Sequence, residues 1–456
     1  MWRQGTNMKH CKAKLFPFLL FLIGLPLAFF LSLTVGVMET PDSYLYYILA
    51  GYLRFGHIGW VAPFNWNKPQ TLFGPVYGLF GSFVTDPGFF QLVLLLLGSL
   101  LIYVILKKLL NTRWAVIGAL IFLLLPFNII YSMMIMSEIL TGFWMVLFIT
   151  VLYFVLKKPT WWANASMLVL ISSIMTLTRY AYGLLFILSI ILCFIFVPKK
   201  WFEYLFLTAG IGLLIWWVLF NHQTNGVWSL SVVSGRHLYN NVVYDAKLLP
   251  PDNLPIVQTF YKYFPTPQAF IEPWWVNQNF FAVDKSLPEW KIDSYYAQLS
   301  FAAIRYHPIA YLWHTVTNVV ILPTQVPYYE QKLVTSYASC DPHECLVPWI
   351  PIICQPRIRF CPAQTGWAKF ITVSSRAQPV IGWICFLLAI IGAVHAFVRG
   401  TKYLKVLAII FLGMCISQAG LEIKEGRFLI PLYPLYAIFI AFTLYTAFSV
   451  YKKSMV

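Results

Sequence analysis

Long apolar runs separated by short polar segments recur along most of this chain. Ten of them approach the length that an α-helix needs to cross a bilayer, about 20 residues. They are Leu15–Val37, Phe89–Leu106, Trp114–Ile130, Glu138–Leu156, Trp161–Leu177, Tyr182–Val197, Phe202–Phe220, Val380–Phe397, Tyr403–Ala419 and Phe428–Val450. The pattern predicts an all-α polytopic membrane protein with about ten transmembrane helices and two large extracytoplasmic loops.

Two apolar segments allow a second interpretation. Leu15–Val37 follows a basic N-terminus, as a signal peptide would, but it is longer than an ordinary signal core and lacks a clean small-residue cleavage site. We therefore interpret it as a retained helix. Pro308–Pro323 is short and contains His314 and Asn318. A crossing there would turn the later basic clusters outward, so we expect a re-entrant segment or a helix at the interface.

The distribution of charged residues supports this path of the chain through the membrane. The chain is 60% hydrophobic and 11% charged, whereas soluble domains carry roughly a quarter charged residues. Half of the 32 Lys and Arg stand in tight clusters between apolar runs, which is typical of cytoplasmic loops. The clustered residues are Arg3, Lys9, Lys12, Lys14, Lys107, Lys108, Arg113, Lys157, Lys158, Lys199, Lys200, Arg399, Lys402, Lys405, Lys452 and Lys453. The net charge of +16 is thus explained by topology, which argues against a nucleic-acid partner.

The threading predicts a multi-pass protein of the cell (inner) membrane with both termini in the cytoplasm. It divides the chain into an N-terminal membrane module at 1–220, a large extracytoplasmic loop at 221–379 and a C-terminal unit of three transmembrane helices at 380–456. The N-terminal module includes a first extracytoplasmic loop at 38–88. Because loops this long are usually functional, we expect the active site on the extracytoplasmic side.

Four of the eight cysteines cluster in the second outer loop. They are Cys340, Cys345, Cys354 and Cys361. On an oxidising side of the membrane such a cluster predicts two disulfides, with three possible connectivities. A zinc site that includes His343 is the alternative, although the spacing lacks C-x-x-C pairs. Either arrangement would be a structural staple.

Two acids enter the predicted outer membrane face on different elements. Asp42 follows the first span, and Glu138 begins the fourth, directly after Ser137. Each has an ordinary explanation: Asp42 suits a helix N-cap, and Glu138 suits a first helical turn capped by Ser137. Their convergence at one membrane level favours chemistry instead, with Asp42 as the candidate catalytic base and Glu138 as a second acidic site.

Three arginines on the same predicted face are candidates for binding a phosphate group. Arg179 follows the fifth span, Arg236 lies in the long loop, and Arg427 precedes the last span. A guanidinium group binds phosphate with two parallel hydrogen bonds, although an Arg that only snorkels to the membrane surface is the alternative for each. The sequence contains no Walker loop, dinucleotide fingerprint, H-E-x-x-H or G-x-S-x-G pattern.

Short motifs follow the spans in a recognisable order. In chain order they are Pro41-Asp42-Ser43, Pro75-Val76-Tyr77, Ser137-Glu138 and Glu425-Gly426-Arg427-Phe428. In this order the chain resembles the GT-C superfamily of membrane glycosyltransferases, in particular the branch of protein O-mannosyltransferases and the lipid A aminoarabinose transferase. The resemblance covers most of residues 15–220 and 420–440.

The resemblance implies a glycosyltransferase that uses a polyprenyl-phosphate sugar donor and inverts the anomeric carbon. It places the catalytic carboxylate on Asp42, although many relatives have Asp-Glu where this chain has Asp42-Ser43. Some relatives need a divalent metal, but no clear ligand set is visible here, so we predict no cofactor. The implied partners are the lipid-linked donor, membrane lipids, and a lipid, glycan or protein acceptor.

Two other functions compete with a transferase. A transporter or lipid flippase would perform no covalent chemistry, and a structural assembly partner would need no site. Transporters tend to carry charges at mid-membrane and to show repeated halves. Here the acids gather at one face and no repeat is evident, which favours an enzyme.

Overall fold

The described part of the chain is helical. A computed structural model describes residues 17, 19–30, 46, 49, 74–83, 87–158, 162–197, 207–264, 266, 271–273, 287–325, 366–421 and 426–454, and no β-strand occurs among them. The helices are α1 (Leu19–Phe30), α2 (Pro75–Phe83), α3 (Pro87–Leu109), α4 (Thr112–Leu124), α5 (Pro126–Ser132), α6 (Glu138–Lys157), α7 (Trp162–Thr178), α8 (Gly183–Phe196), α9 (Leu207–Asn225), α10 (Ser234–Tyr239), α11 (Pro255–Tyr261), α12 (Glu289–Tyr306), α13 (Pro308–Ile321), α14 (Gly366–Arg399), α15 (Lys402–Leu421) and α16 (Tyr433–Ser454). The prediction of an all-α membrane protein is confirmed.

Five described segments are long and apolar enough to cross a membrane. They are α3, α6, the Thr372–Arg399 part of α14, α15, and Arg427–Ser454, which ends with α16. A sixth candidate is the pair α4 and α5, which is bent by 51° at a break before Pro126. Proline lacks an N–H and clashes with the preceding turn, which accounts for the break. Each of the ten predicted runs overlaps a described helix, while ten crossings remain a prediction.

The last helix forms the centre of the bundle. All ten residues from Tyr433 to Phe442 are buried, as expected for a helix that is apolar all round. It packs against α14, α4 and α6. The α14 contact is close because Gly392 has no side chain: a Cβ there would collide with the carbonyl oxygen of Phe439. Small residues at helix crossings are how membrane helices approach each other without a hydrophobic driving force.

The residues between α9 and α12 have an apolar core of their own. It is separate from the main bundle core and draws on α10, the π-helical turn Asn240–Asp245, α11 and α12. On α12 the buried positions Ile292, Tyr296, Leu299 and Ala303 follow the spacing of one helix face. This part of the predicted extracytoplasmic loop is therefore a packed unit with a core of its own.

Helix α13 links this unit to the bundle. Its 14 residues span about 21 Å, less than the roughly 30 Å of a bilayer core. Apolar side chains such as Trp313 are exposed, while Asn318 turns inward and donates to the carbonyl oxygen of Ala419 at 3.3 Å. Asn241 donates to the same oxygen, and Tyr311 donates to that of Gly420. These bonds satisfy the last carbonyl groups of α15, which have no partner within their own helix.

Candidate functional site

A cavity of about 310 Å³ lies at one end of the bundle, where α6 begins and α7 ends. The 3₁₀ turn Gly426–Leu432, which precedes α16, contributes Arg427 and Phe428 to its lining. Further lining comes from residues 231–238, from Ala297 and Phe301 of α12, and from Tyr46, Gly74 and Leu421. The volume is at the lower end of the range for small-molecule sites, roughly 300–1,000 Å³.

The cavity lies at the bundle end opposite the described basic clusters. Helix α3 ends at Lys107 and Lys108, α6 ends at Lys157, and α16 ends at Lys452 and Lys453. Helix α6 and the Arg427–Ser454 segment both begin at the cavity and run away from it. The cavity and the lysines that the sequence assigns to the cytoplasm are therefore separated by the length of a membrane-spanning helix.

Glu138 and Arg179 form an ion pair in the cavity wall. Arg179 Nη1 lies 2.8 Å from Glu138 Oε1, and the exposed fractions of the two side chains are 12% and 1%. Glu138 stands in the first turn of α6, where the helix dipole favours a negative charge. Its second oxygen, Oε2, is buried and accepts no hydrogen bond from the described residues. Among the described residues, the bonded partner of the Glu138 carboxylate is therefore Arg179.

The guanidinium groups of Arg179 and Arg427 both lie against the ring of Phe428. The guanidinium carbon of Arg179 lies 4.4 Å from the ring centroid, and that of Arg427 lies 5.1 Å from it. Each cation–π contact contributes about 0.5–2 kcal/mol, depending on solvation. Among the described lining residues, Glu138 is the single acid that faces these two arginines. The described part of the cavity wall therefore carries more basic than acidic groups, which suits an anion.

Two tyrosines of the cavity lining form hydrogen bonds to neighbouring side chains. Tyr46 donates a hydrogen bond to the hydroxyl of Ser137 at 3.0 Å, and its ring packs edge-on against Tyr77. The Ser137 side chain makes no capping bond to α6, so the structure does not support the alternative in which Ser137 caps this helix. Tyr180 accepts a hydrogen bond from Trp217 Nε1 at 2.9 Å, which ties the end of α7 to α9.

The cavity wall formed by residues 231–238 is hydrogen-bonded to an acid on α12 that is not itself among the described lining residues. Asp293 accepts hydrogen bonds from the backbone N–H groups of Gly235 at 3.0 Å and Arg236 at 2.9 Å. Arg236 Nε lies 4.0 Å from Asp293 Oδ1. Burial raises the pKa of Asp293, while the two N–H donors and the positive charges of Arg236 and His237 oppose that rise.

The structure thus brings together three of the predicted site residues: Glu138, Arg179 and Arg427 all line the cavity. Arg236 is not among its described lining residues and lies against Asp293, although its neighbours Gly235 and His237 do line the cavity. Asp42 lies outside the described residues, as do the four clustered cysteines. No three His, Cys, Asp or Glu side chains in the described ranges come together as metal ligands would.

Sequence reasoning missed two residues that shape the site. Phe428 was noted only as part of a motif, because nothing in a sequence shows which charges meet over a ring. Asp293 was not noted, yet a pattern for it exists: it lies next to Ile292 and three positions before Tyr296, on the buried face of an amphipathic helix. An acid at a core position is rare unless it is paired, which marks it for attention.

The fold and the site together define an all-α membrane protein with a cationic cavity at one end of its helix bundle. No family model matches the chain, and no curated protein matches it.

Solved structures of two kinds are similar in fold. The archaeal oligosaccharyltransferase AglB from Archaeoglobus fulgidus, in complex with an inhibitory peptide and a dolichol-phosphate, gives a TM-score of 0.46 at 14% identity, over 96% of this chain and 51% of its own. An oligosaccharyltransferase of the same organism in the apo form gives 0.47 at 14% identity, over 96% and 52%. ArnT from Cupriavidus metallidurans bound to undecaprenyl phosphate gives 0.34 at 13% identity, over 93% and 77%.

Both kinds belong to the GT-C superfamily, which the motif order of this sequence also resembles. The chain spans about half the length of the oligosaccharyltransferases it matches. At these identities and TM-scores the similarity concerns the course of the chain and assigns no reaction to it.

Proposed function

We propose that this chain is a membrane glycosyltransferase that moves a sugar from a polyprenyl-phosphate-linked donor to a lipid, glycan or protein acceptor on the extracytoplasmic side. The observation that carries the proposal is the cationic cavity. Two guanidinium groups meet there over one ring, against one carboxylate among the described lining residues. Such a wall favours an anionic ligand, and a phosphate group matches the geometry of guanidinium donors.

Arg427 and Arg179 are the proposed ligands of the lipid phosphate. Preorganised positive groups stabilise the negative charge that develops on a departing phosphate, and they do so without rearranging during the reaction. Glu138 already forms an ion pair with Arg179, which leaves the Arg179 guanidinium less able to bind a second anion. We therefore expect Arg427 to contribute more to donor binding than Arg179, and Glu138 to position Arg179.

Asp42 is the proposed general base. Tyr46 lines the cavity, and the four Cα–Cα steps from Asp42 to Tyr46 extend at most about 14 Å, so the cavity is within reach of Asp42. Asp42 removes the proton of the acceptor hydroxyl or amine as the acceptor atom bonds to the anomeric carbon. The bond between that carbon and the phosphate oxygen breaks, and its electron pair stays on the polyprenyl phosphate. Attack opposite the leaving group inverts the anomeric carbon.

The position of the cavity supports a lipid-linked donor. It lies at the bundle end away from the lysines of α3, α6 and α16, and such lysines mark the cytoplasmic side of a membrane protein. Nucleotide sugars are made in the cytoplasm, so a site at the other end needs a donor that the membrane itself carries.

The test is a transfer assay with the purified full chain, using radiolabelled polyprenyl-phosphate sugars from a membrane lipid extract. Asp42→Asn is nearly isosteric, and Asn is also a good N-cap, so an Asp42 that only caps a helix should tolerate it. Loss of the base should reduce transfer roughly 10²–10⁴-fold, with the melting temperature and donor binding unchanged.

Asp252→Asn is the matched control, because Asp252 is an exposed acid away from the cavity that accepts a hydrogen bond from Tyr261. It should leave transfer unchanged. Near-normal transfer by Asp42→Asn would remove the catalytic role. Movement of lipid across a proteoliposome bilayer without a covalent product would instead establish the transporter or flippase alternative.

A further inference from the structure

One wall of the cavity depends on an acid that does not line it. Ser234, Gly235, His237 and Leu238 line the cavity and belong to α10, a helix of six residues. A helix this short is not stable by itself, because nucleation costs more than a few hydrogen bonds return. Its place must therefore be fixed by contacts with its surroundings.

Asp293 supplies that contact. Its two carboxylate oxygens each accept one backbone N–H, from Gly235 and from Arg236, and these are first-turn groups that have no partner within the helix. The approach is close: a Cβ added at Gly235 would collide with the carbonyl oxygen of Asp293 and would lie 2.9 Å from the backbone nitrogen of Ala297.

A role in core packing alone does not explain an acid at this position. Removing a carboxylate from water is costly, and an apolar side chain would fill the same volume without that cost. The two N–H donors and the nearby Arg236 guanidinium offset the cost, and they do so only while α10 keeps its place against α12. The carboxylate therefore stabilises one position of the wall relative to α12.

We propose that Asp293 is a positioning residue that fixes the cavity wall of residues 231–238 and thereby sets where Ser234 and His237 face a bound substrate. The positioning itself is independent of the reaction. Its effect on catalysis rests on the proposed glycosyltransferase function.

The test measures the wall directly, without catalysis. Val233 lines the cavity, is only 6% exposed and immediately precedes α10, so a thiol in Val233→Cys should react slowly with a maleimide while the wall keeps its place and faster when the wall opens. Asp293→Asn keeps one acceptor oxygen and places an amide N–H₂ against the second N–H, which breaks one of the two bonds. We expect alkylation at position 233 to become roughly 10- to 100-fold faster, as loss of one charge-assisted hydrogen bond implies.

The native protein offers an internal control and a second route to the same result. Cys415 is a free, buried thiol in α15, and peptide mapping should show no change in its reactivity. Gly235→Ala keeps Asp293 but forces the wall away from α12, so it should accelerate labelling at position 233 as well. Asp252→Asn should change neither rate.

The catalytic part has its own readout. If the chain transfers sugar, Asp293→Asn should raise the KM for substrate by about tenfold or more, in a protein that still unfolds in one cooperative transition. Unchanged labelling at position 233, or equal acceleration at Cys415, would overturn the positioning role. Faster labelling with unchanged KM and kcat would overturn its link to catalysis. Absence of transfer in the native chain would refute the proposed function, while the labelling result would stand.

Discussion

Replacing Arg427 by Ala tests the cationic cavity most directly. The native wall holds two guanidinium groups and the Glu138 carboxylate, and the substitution leaves Arg179 and Glu138, whose charges offset each other. The described cavity wall then loses one of its two guanidinium groups. It also loses one of the two cation–π contacts to Phe428, but that ring keeps the contact with Arg179 at 4.4 Å. The change should therefore weaken anion binding without collapsing the site.

The magnitude follows from the burial of Arg427, which is 7% exposed. Two unit charges about 4 Å apart attract each other by about 4 kcal/mol at an effective dielectric constant of roughly 20. Some of this is lost to the desolvation of both groups, and losing one partner of a buried charge pair typically costs about 2–5 kcal/mol. We expect a loss of about 2–4 kcal/mol in donor binding, which corresponds to a roughly 30- to 700-fold rise in KM.

The assay is sugar transfer measured against the concentration of the polyprenyl-phosphate donor. Arg427→Lys should lie between the native protein and Arg427→Ala, since Lys keeps the charge but not the planar stacking or the paired donors. Arg305→Ala is the matched control, because Arg305 is an exposed arginine on α12 outside the cavity lining. An unchanged donor KM in Arg427→Ala, or an equal change in Arg305→Ala, would refute the reasoning.

Three further predictions concern the ion pair, the topology and the cysteines. Glu138→Gln should lower the melting temperature in detergent, through a loss of about 1–3 kcal/mol in the charge-assisted bond to Arg179. It should slow transfer less than Asp42→Asn does. A loss of transfer rate as large as that of Asp42→Asn would make Glu138 a second base. Cysteines placed at the exposed positions Lys157 and Asn253 should differ in intact cells, with an impermeant thiol reagent labelling only position 253; labelling at 157 would overturn the ten-span topology. Non-reduced peptide mapping should find two disulfides and no free thiol in the outer-loop cluster, whereas bound zinc with four reduced cysteines would reverse that prediction. Its members are Cys340, Cys345, Cys354 and Cys361.

The sequence by itself determined the elements and the chemical candidates. Apolar runs of bilayer length place the helices because every backbone polar group in lipid must be satisfied within its own helix. Lysine clusters assign the helix ends to two sides. The sequence predicted Glu138, Arg179 and Arg427 at one membrane face, because each lies at the outer end of a predicted span. The structure places all three in one cavity.

Only the tertiary structure decided which of these groups contact each other. Glu138 and Arg179 are 41 residues apart, and their pairing depends on how α6 packs beside α7. The stacking of Arg179 and Arg427 on Phe428 depends on the 3₁₀ turn before α16. Span boundaries fix the depth of a residue in the membrane but leave its direction around the helix axis and its neighbours undefined.

The wall of residues 231–238 shows the same limit more strongly. No transmembrane run defines its position, and the Asp293 carboxylate that holds it lies 58 residues beyond Gly235 in the chain. Sequence periodicity on α12 marks Asp293 as an acid on a buried face, but the N–H groups that it meets come from a separate six-residue helix. A long-range contact of this kind carries no local pattern, because its free energy arises only after both segments have packed.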